Sequence, residues 1–152
     1  MITALLRQRN KSESMGEINI RPYQDRDEPE VIDLWHRCNL VVPQNDPGKD
    51  IAMKRSVQPE LFLVGTLSRR IVSTAMAGYD GHRGWIYYLA VSPDFRGNGF
   101  ARQMMERVEQ TLRVLGCRKI NIQVRSSNKS VLSFYVYMGF SVDDVISLGK
   151  KI

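Results

Sequence analysis

The sequence predicts an α+β domain, a mixed and mostly antiparallel sheet with helices on its faces. Three observations point there. Alternating apolar segments cluster in the middle of the chain, segments with apolar residues at helical spacing lie on both sides of them, and no repeat or low-complexity stretch interrupts the series. The 152 residues suffice for one domain with a single core. Apolar residues make up 43% and charged residues 25%, near the globular average, so neither disorder nor a membrane protein is implied. No apolar run approaches the roughly 18 residues of a spanning helix.

Residues 1–15 differ in character from the rest of the chain. Their apolar cluster, Ile2 to Leu6, is shorter than a signal-peptide core of ~7–15 residues, and the charges of Arg7, Arg9 and Lys11 come after it. They read as a flexible tail, with Met15 as an alternative start, and residues 16–152 as the single domain. Cys38 and Cys117 read as buried free thiols of a cytoplasmic protein, and two distant histidines, His36 and His82, make no zinc site. The net charge of +6 attracts polyanions in general, yet no basic stripe with interleaved aromatics singles out nucleic acid.

The elements come in order along the chain. Ile18 to Tyr23 alternates as a first strand, and Asp27 offers an N-cap with Pro29 in the first turn. Val31, Leu34, Trp35 and Cys38 then mark the buried face of a helix, which leaves His36 on the surface. After the break at Asn45-Asp46-Pro47-Gly48, Asp46 caps a short helix carrying Ile51 and Met53. Leu61 to Val64, Ile71 to Tyr79 and Trp85 to Val91 form an antiparallel meander, turning at Ser68-Arg69-Arg70 and at Asp80-Gly81-His82-Arg83-Gly84. Ala101, Met104, Met105, Val108, Leu112 and Leu115 recur at helical spacing, with Gly116 as the stop. Ile120, Ile122 and Val124 alternate as a half-exposed strand. Asn128 caps a last helix bearing Val131, Leu132, Tyr135 and Met138, closed by Gly139, and Phe140 to Leu148 is the final strand.

The stretch Pro93-Asp94-Phe95-Arg96-Gly97-Asn98-Gly99-Phe100-Ala101-Arg102 carries the chemistry. A helix start leaves N–H groups unpaired and partially positive, and Gly-Asn-Gly ahead of it keeps few side chains in the way of an anion. Arg96 and Arg102 add charge at the rim. The loop is therefore shaped for a phosphate or pyrophosphate. It is no P-loop, since no lysine comes after Gly99 in the required register. A dinucleotide fingerprint begins well at Gly97 and Gly99 but meets Arg102 where its third glycine belongs, after a meander and not a βαβ unit.

Arg96 to Ala101 matches [QR]-x-x-G-x-[GA] directly after a strand. Further on, Asn128-Lys129-Ser130-Val131-Leu132-Ser133-Phe134-Tyr135 leads to Val136-Tyr137-Met138-Gly139-Phe140. This pair of motifs resembles the GNAT superfamily of N-acetyltransferases, over essentially residues 17–149. The resemblance implies a GNAT-like sheet with helices on both faces and acetyl-CoA as cosubstrate. The pantetheine arm would pair with the main chain of Leu89, Ala90 and Val91. The pyrophosphate would sit on the amides of Gly97, Asn98, Gly99, Phe100, Ala101 and Arg102, with Arg96 beside it. Asn128 corresponds to the asparagine that positions the cofactor arm, and Tyr135 to the general acid that protonates the leaving sulfur. Asn128 also reads as a plain helix cap, and Tyr135 as a core aromatic.

The expected activity is transfer of acetyl to a primary amine, of a small molecule or a protein, by direct attack in a ternary complex. The alternative is a non-catalytic acyl-CoA sensor or docking module. Gln123 stands where one branch of the family carries a basic glutamate, and the remaining candidates for a base are Asp46, Asp80, His82 and waters, none of which is assigned. Tyr79, Trp85, Tyr87 and Tyr88 could line the acceptor groove. No membrane or nucleic-acid partner is expected, and a homodimer stays open.

Overall fold

The computed structural model describes residues 16–152; the tail expected over residues 1–15 lies outside them. The described elements are β1 (Asn19–Pro22), α1 (Glu28–Arg37), α2 (Pro47–Arg55), β2 (Phe62–Leu67), β3 (Arg70–Tyr79), β4 (Gly84–Val91), α3 (Phe100–Val114), β5 (Ile120–Asn121) and α4 (Lys129–Tyr137). The strands form one sheet in the order β1-β2-β3-β4-β5, antiparallel except for the β4–β5 pair. Two compact units divide the chain, one ending at Asn121 and one running from Ile122 to Ile152.

Within the first unit, helices cover both faces of the sheet. Val31, Leu34 and Trp35 of α1, with Ile51 of α2, join Phe62, Val64, Ile71, Met76 and Ala90 in one buried cluster. Neighbouring residues on a strand face opposite ways, so Gly65 looks away from this cluster. A Cβ there would meet Ser73 Oγ at 2.3 Å, Ile18 Cδ1 at 2.6 Å and Met104 Cε of α3 at 3.3 Å. On that second face Phe100 of α3 packs with Ile18 and Val72. Ahead of α1, the Asp27 carboxylate holds the preceding turn, taking two hydrogen bonds from Arg21, at 2.7 and 2.9 Å, and one from the Gln24 N–H at 2.8 Å. Burial pushes that carboxyl up, and Arg21 and the Gln24 N–H more than offset it, leaving its pKa below the usual range.

Most expected elements appear within a residue or two of their sequence limits, and four readings are corrected. Asp27 stands at the N-cap of α1, but its side chain makes no cap hydrogen bond there, because it is taken up by Arg21 and the Gln24 N–H. Cys38 and Cys117 are half-buried thiols rather than buried ones. The strand expected from Ile120 to Val124 is paired only at Ile120–Asn121. The final strand expected from Phe140 to Leu148 does not form. Val142, Val145, Ile146 and Leu148 are all exposed. Phe140, Val142, Ile146 and Leu148 share one phase, so the local pattern permits a strand, and what is missing is a partner: among the described residues no neighbouring strand pairs with this segment.

Candidate active site

The loop ahead of α3 is built to expose main chain. Gly97 and Gly99 have φ of 79° and 78°, the left-handed region that costs an L side chain about 1–2 kcal/mol. A Cβ at either would meet nothing within 4 Å, so these glycines serve conformation rather than close packing. Asn98 turns its side chain back into the loop, its Nδ2 donating to the Phe95 carbonyl at 2.9 Å and the Arg96 carbonyl at 3.4 Å. Among the described residues, no turn or cap bond uses the N–H groups of residues 97–102. Phe100 anchors the helix start in the core. Arg96 Nε donates to the Val91 carbonyl at 3.4 Å, while Arg102 faces Glu106 at 3.9 Å on the surface. The loop thus offers amides that no turn or cap bond uses, with Arg96 and Arg102 beside them in the chain, an arrangement that suits a multiply charged phosphate.

The strand leading into this loop is broken in a specific way. Thr74 pairs with Ala90 and Met76 with Tyr87, so Ala75 stands opposite both Tyr88 and Leu89. That is a β-bulge, which leaves an extra residue out of the ladder. Tyr88 carries the distortion, with φ of 50°, an outlier for an aromatic residue. It is held in three places. Its ring stacks on Trp35 at 3.9 Å, and its carbonyl accepts from Thr74 Oγ1 at 2.9 Å, an atom that itself accepts from Trp35 Nε1 at 2.9 Å. Its hydroxyl donates in a short hydrogen bond to Asp50 Oδ2 and accepts from Asn45 Nδ2 at 3.5 Å. Burial, then Asp50, pushes the phenol up to about 12. On the other side of β4 only Gly84 and Trp85 pair with β5, and the edge from Ile86 to Val91 has no ladder partner among the described residues.

In the second unit, Asn128 caps α4, its Oδ1 accepting from the Val131 N–H at 3.4 Å. Tyr135 is buried, with the rings of Phe134 and Phe140 set edge-on at 5.2 and 5.5 Å. Burial pushes its phenol up to about 12, so the hydroxyl keeps its proton throughout the neutral range. Gln123 Nε2 donates to Ser147 Oγ at 2.6 Å.

A family model, the acetyltransferase (GNAT) family, matches residues 13–140. The chain belongs to the GNAT acetyltransferase family. It is accordingly an acyltransferase that uses acetyl-CoA. Among its relatives, an acetyltransferase of Yersinia enterocolitica is 48% identical over 135 residues, covering 89% of this chain and 96% of that one. Among solved structures, Ard1 from Thermoplasma volcanium superposes with a TM-score of 0.72 at 19% identity, over 84% of this chain and 85% of that one. The structure of AAC(6')-Iy in complex with the bisubstrate analog CoA-S-monomethyl-acetylneamine gives 0.71 at 17% identity, over 90% and 100%. At such identity these two likenesses concern the fold.

Several side chains singled out in this GNAT sequence prove to be structural. Asp46 caps α2 through the Lys49 N–H at 3.1 Å. Asp80 accepts from the N–H groups of His82 and Arg83, each at 2.7 Å, and the Arg83 bond, followed by that of His82, holds its carboxyl below the usual range. A carboxylate stabilised in this way is a poor base. His36, His82 and Tyr87 are exposed, Tyr79 closes the turn through the Gly81 carbonyl at 3.1 Å, and Trp85 lies half-buried where β4 meets β5. Sequence reasoning missed Asp50, Asn45 and the Trp35–Thr74 pair that gather on Tyr88. Only the aromatic at 88 was visible, because its partners lie up to 53 positions away in the chain, as Trp35 does, and share no motif with it.

Proposed function

We propose that the chain is an N-acetyltransferase that moves the acetyl group of acetyl-CoA to a primary amine by direct transfer in a ternary complex. The observation that carries this reading is the glycine loop at the start of α3, whose amides are open and unpaired among the described residues, entered from a bulged strand with one unladdered edge. In it, Gly97, Asn98, Gly99, Phe100, Ala101 and Arg102 hold the diphosphate through their N–H groups, with Arg96 adding charge. The main chain of Leu89, Ala90 and Val91 pairs with the pantetheine arm as an added strand. Asn128 helps to position that arm while capping α4. The complex of AAC(6')-Iy with a CoA-containing bisubstrate analog, on the same fold, supports this assignment of the cosubstrate.

Acetyl-CoA supplies an activated thioester, and the chain's task is to orient it and to handle one proton. An amine that arrives protonated first yields that proton to water; its nitrogen then bonds to the carbonyl carbon, the carbon–sulfur bond breaks, and the electron pair leaves on sulfur. Tyr135 gives its proton to that sulfur and regains one from solvent, while the proton shed by the new amide leaves to water. A phenol near pKa 12 is a weak acid but always loaded, which matches a role late in the reaction. Cys38 and Cys117 turn their thiols to the carbonyls of Val91 and Lys119, each at 3.3 Å, and direct transfer needs neither.

Two measurements test the reading. Calorimetry should detect acetyl-CoA binding that weakens as salt rises, and thiol release should depend on an added amine. Binding without release for any amine would favour the sensor alternative, and absence of binding would end both.

A further inference from the structure

The two carboxylates at the N-terminal end of α2 lead different lives. Asp46 caps the helix and faces Lys49 Nζ at 3.7 Å. Asp50, half-buried, has no cationic partner among the described residues and receives only the Tyr88 hydroxyl. Other described arginines pair with other carboxylates: Arg21 with Asp27, Arg37 with Asp33 and Asp94, and Arg55 with Asp25. Lys54, one turn further along α2, is pushed down by burial and drawn upward by Glu60, not by Asp50. In a chain with 22 basic and 16 acidic residues, cations are in surplus, and Asp50 shares its lack of a cationic partner with the half-buried Glu28, which receives only the Tyr23 hydroxyl at 3.5 Å; what distinguishes Asp50 is its attachment to the bulged strand.

Its attachment is equally specific. Stacking on Trp35 and the carbonyl bond from Thr74 would hold a phenylalanine at position 88 as well as a tyrosine. The hydroxyl does something else, since it accepts from Asn45 and donates to one oxygen of Asp50, fixing the carboxylate and leaving the second oxygen without a bond among the described residues. Tyr88 is also the bulge residue immediately before Leu89, so the carboxylate lies one tyrosine side chain away from the strand that the proposed function gives to acetyl-CoA. An aliphatic amine carries its proton at neutral pH, its pKa being about 10. Such an acceptor arrives as a cation at a protein whose net charge of +6 repels it, and a local carboxylate reverses that field where the amine must sit.

We propose that Asp50, oriented by Tyr88, is the subsite that receives the positively charged amine of the acceptor, which makes aliphatic cationic amines the substrate class. The inference rests on the N-acetyltransferase reading above.

The test compares the full chain with Asp50→Asn, which keeps shape and hydrogen bonding but removes the charge, and with Tyr88→Phe. Acetyl-CoA affinity is measured by calorimetry. Thiol release is then followed with spermidine, Nα-acetyl-lysine amide, a tripeptide with a free α-amino group, and aniline, which is uncharged at pH 7. Asp50→Asn is expected to leave acetyl-CoA affinity within twofold and to raise KM for the cationic acceptors about 30-fold, as loss of a charge-assisted contact does. Activity on aniline should change less than threefold, and Tyr88→Phe should raise KM for the cationic amines about fivefold with kcat little changed. Wild-type KM in Asp50→Asn, or equal losses for charged and uncharged amines, would overturn the proposal. So would a wild-type enzyme that binds acetyl-CoA yet acetylates none of the cationic probes, an outcome that leaves the cofactor assignment standing. Absence of acetyl-CoA binding in a folded wild type would instead remove the proposed function itself, and this subsite with it.

Discussion

On the proposed function, the loop ahead of α3 and the segment from Asn128 to Tyr135 handle their chemistry in opposite ways. In the loop the main chain does the work and side chains stand aside: two glycines supply positive φ, and Asn98 folds inward onto the Phe95 and Arg96 carbonyls. In α4 the backbone is ordinary helix, and what matters is one hydroxyl and one amide at fixed positions. A main-chain site tolerates most changes that leave backbone conformation alone. A side-chain site tolerates changes around it but is lost with a single atom.

The sharpest test of that contrast is Tyr135→Phe. It removes one oxygen from a buried ring, and kcat should fall about 100-fold, the lower range for loss of a general acid. Acetyl-CoA affinity should stay within twofold by calorimetry, and unchanged turnover would strike Tyr135 from the mechanism. Next comes a glycine that serves packing and not a ligand. Gly65→Ala should cost about 2 kcal/mol by overpacking against Ser73 and Ile18, lowering the melting temperature while acetyl-CoA affinity per folded molecule stays the same.

Gly99→Val should do the reverse. A β-branched residue at φ 78° adds strain and a methyl pair over the amides, weakening acetyl-CoA binding about tenfold, in line with about 1–2 kcal/mol for a left-handed L residue. Equal affinity in this variant would mean that the loop binds nothing. Asn128→Ala should cost α4 about 1 kcal/mol through the lost cap, visible in thermal melts. Any fall in acetyl-CoA affinity beyond that would separate its cofactor role from its capping role.

The smallest effect at neutral pH concerns the phenols. Tyr23, Tyr88 and Tyr135 are each raised to about 12, with burial the largest cause. Their folded pKa values lie above the unfolded value of about 10, so the stability they contribute is complete below pH 10 and is lost as pH rises from 10 to 12. Denaturation midpoints should therefore show no loss from these groups between pH 7 and 9, and ultraviolet titration should find three phenols ionising near pH 12. For the same reason kcat should show no descending limb from Tyr135 below pH 10.

How much of this was legible depends on sequence distance. The α3 loop could be read because a conformational demand and the residue that meets it are the same residue, as at Gly97 and Gly99. The cap of α4 could be read because Asn128 and its partner Val131 are three apart. The bulge at Tyr88–Leu89 could not, since it is a mismatch in register between β3 and β4 and neither strand alone encodes it. The final strand was misread because the alternation of Phe140, Val142, Ile146 and Leu148 permits a strand, whereas pairing depends on a neighbouring strand that no local pattern encodes.

By itself, the sequence determined the helix faces, the meander and the anion-shaped loop, because each depends on backbone preferences and on residues within a few positions of one another. Tertiary structure alone decided that Tyr88 adopts a left-handed conformation and that Asp50, 38 positions earlier, meets its hydroxyl while Arg21, Arg37 and Arg55 pair with other carboxylates. Such pairings are set when helices and strands remote in the chain pack on one sheet, and the choice of partner is then made by geometry and charge in three dimensions.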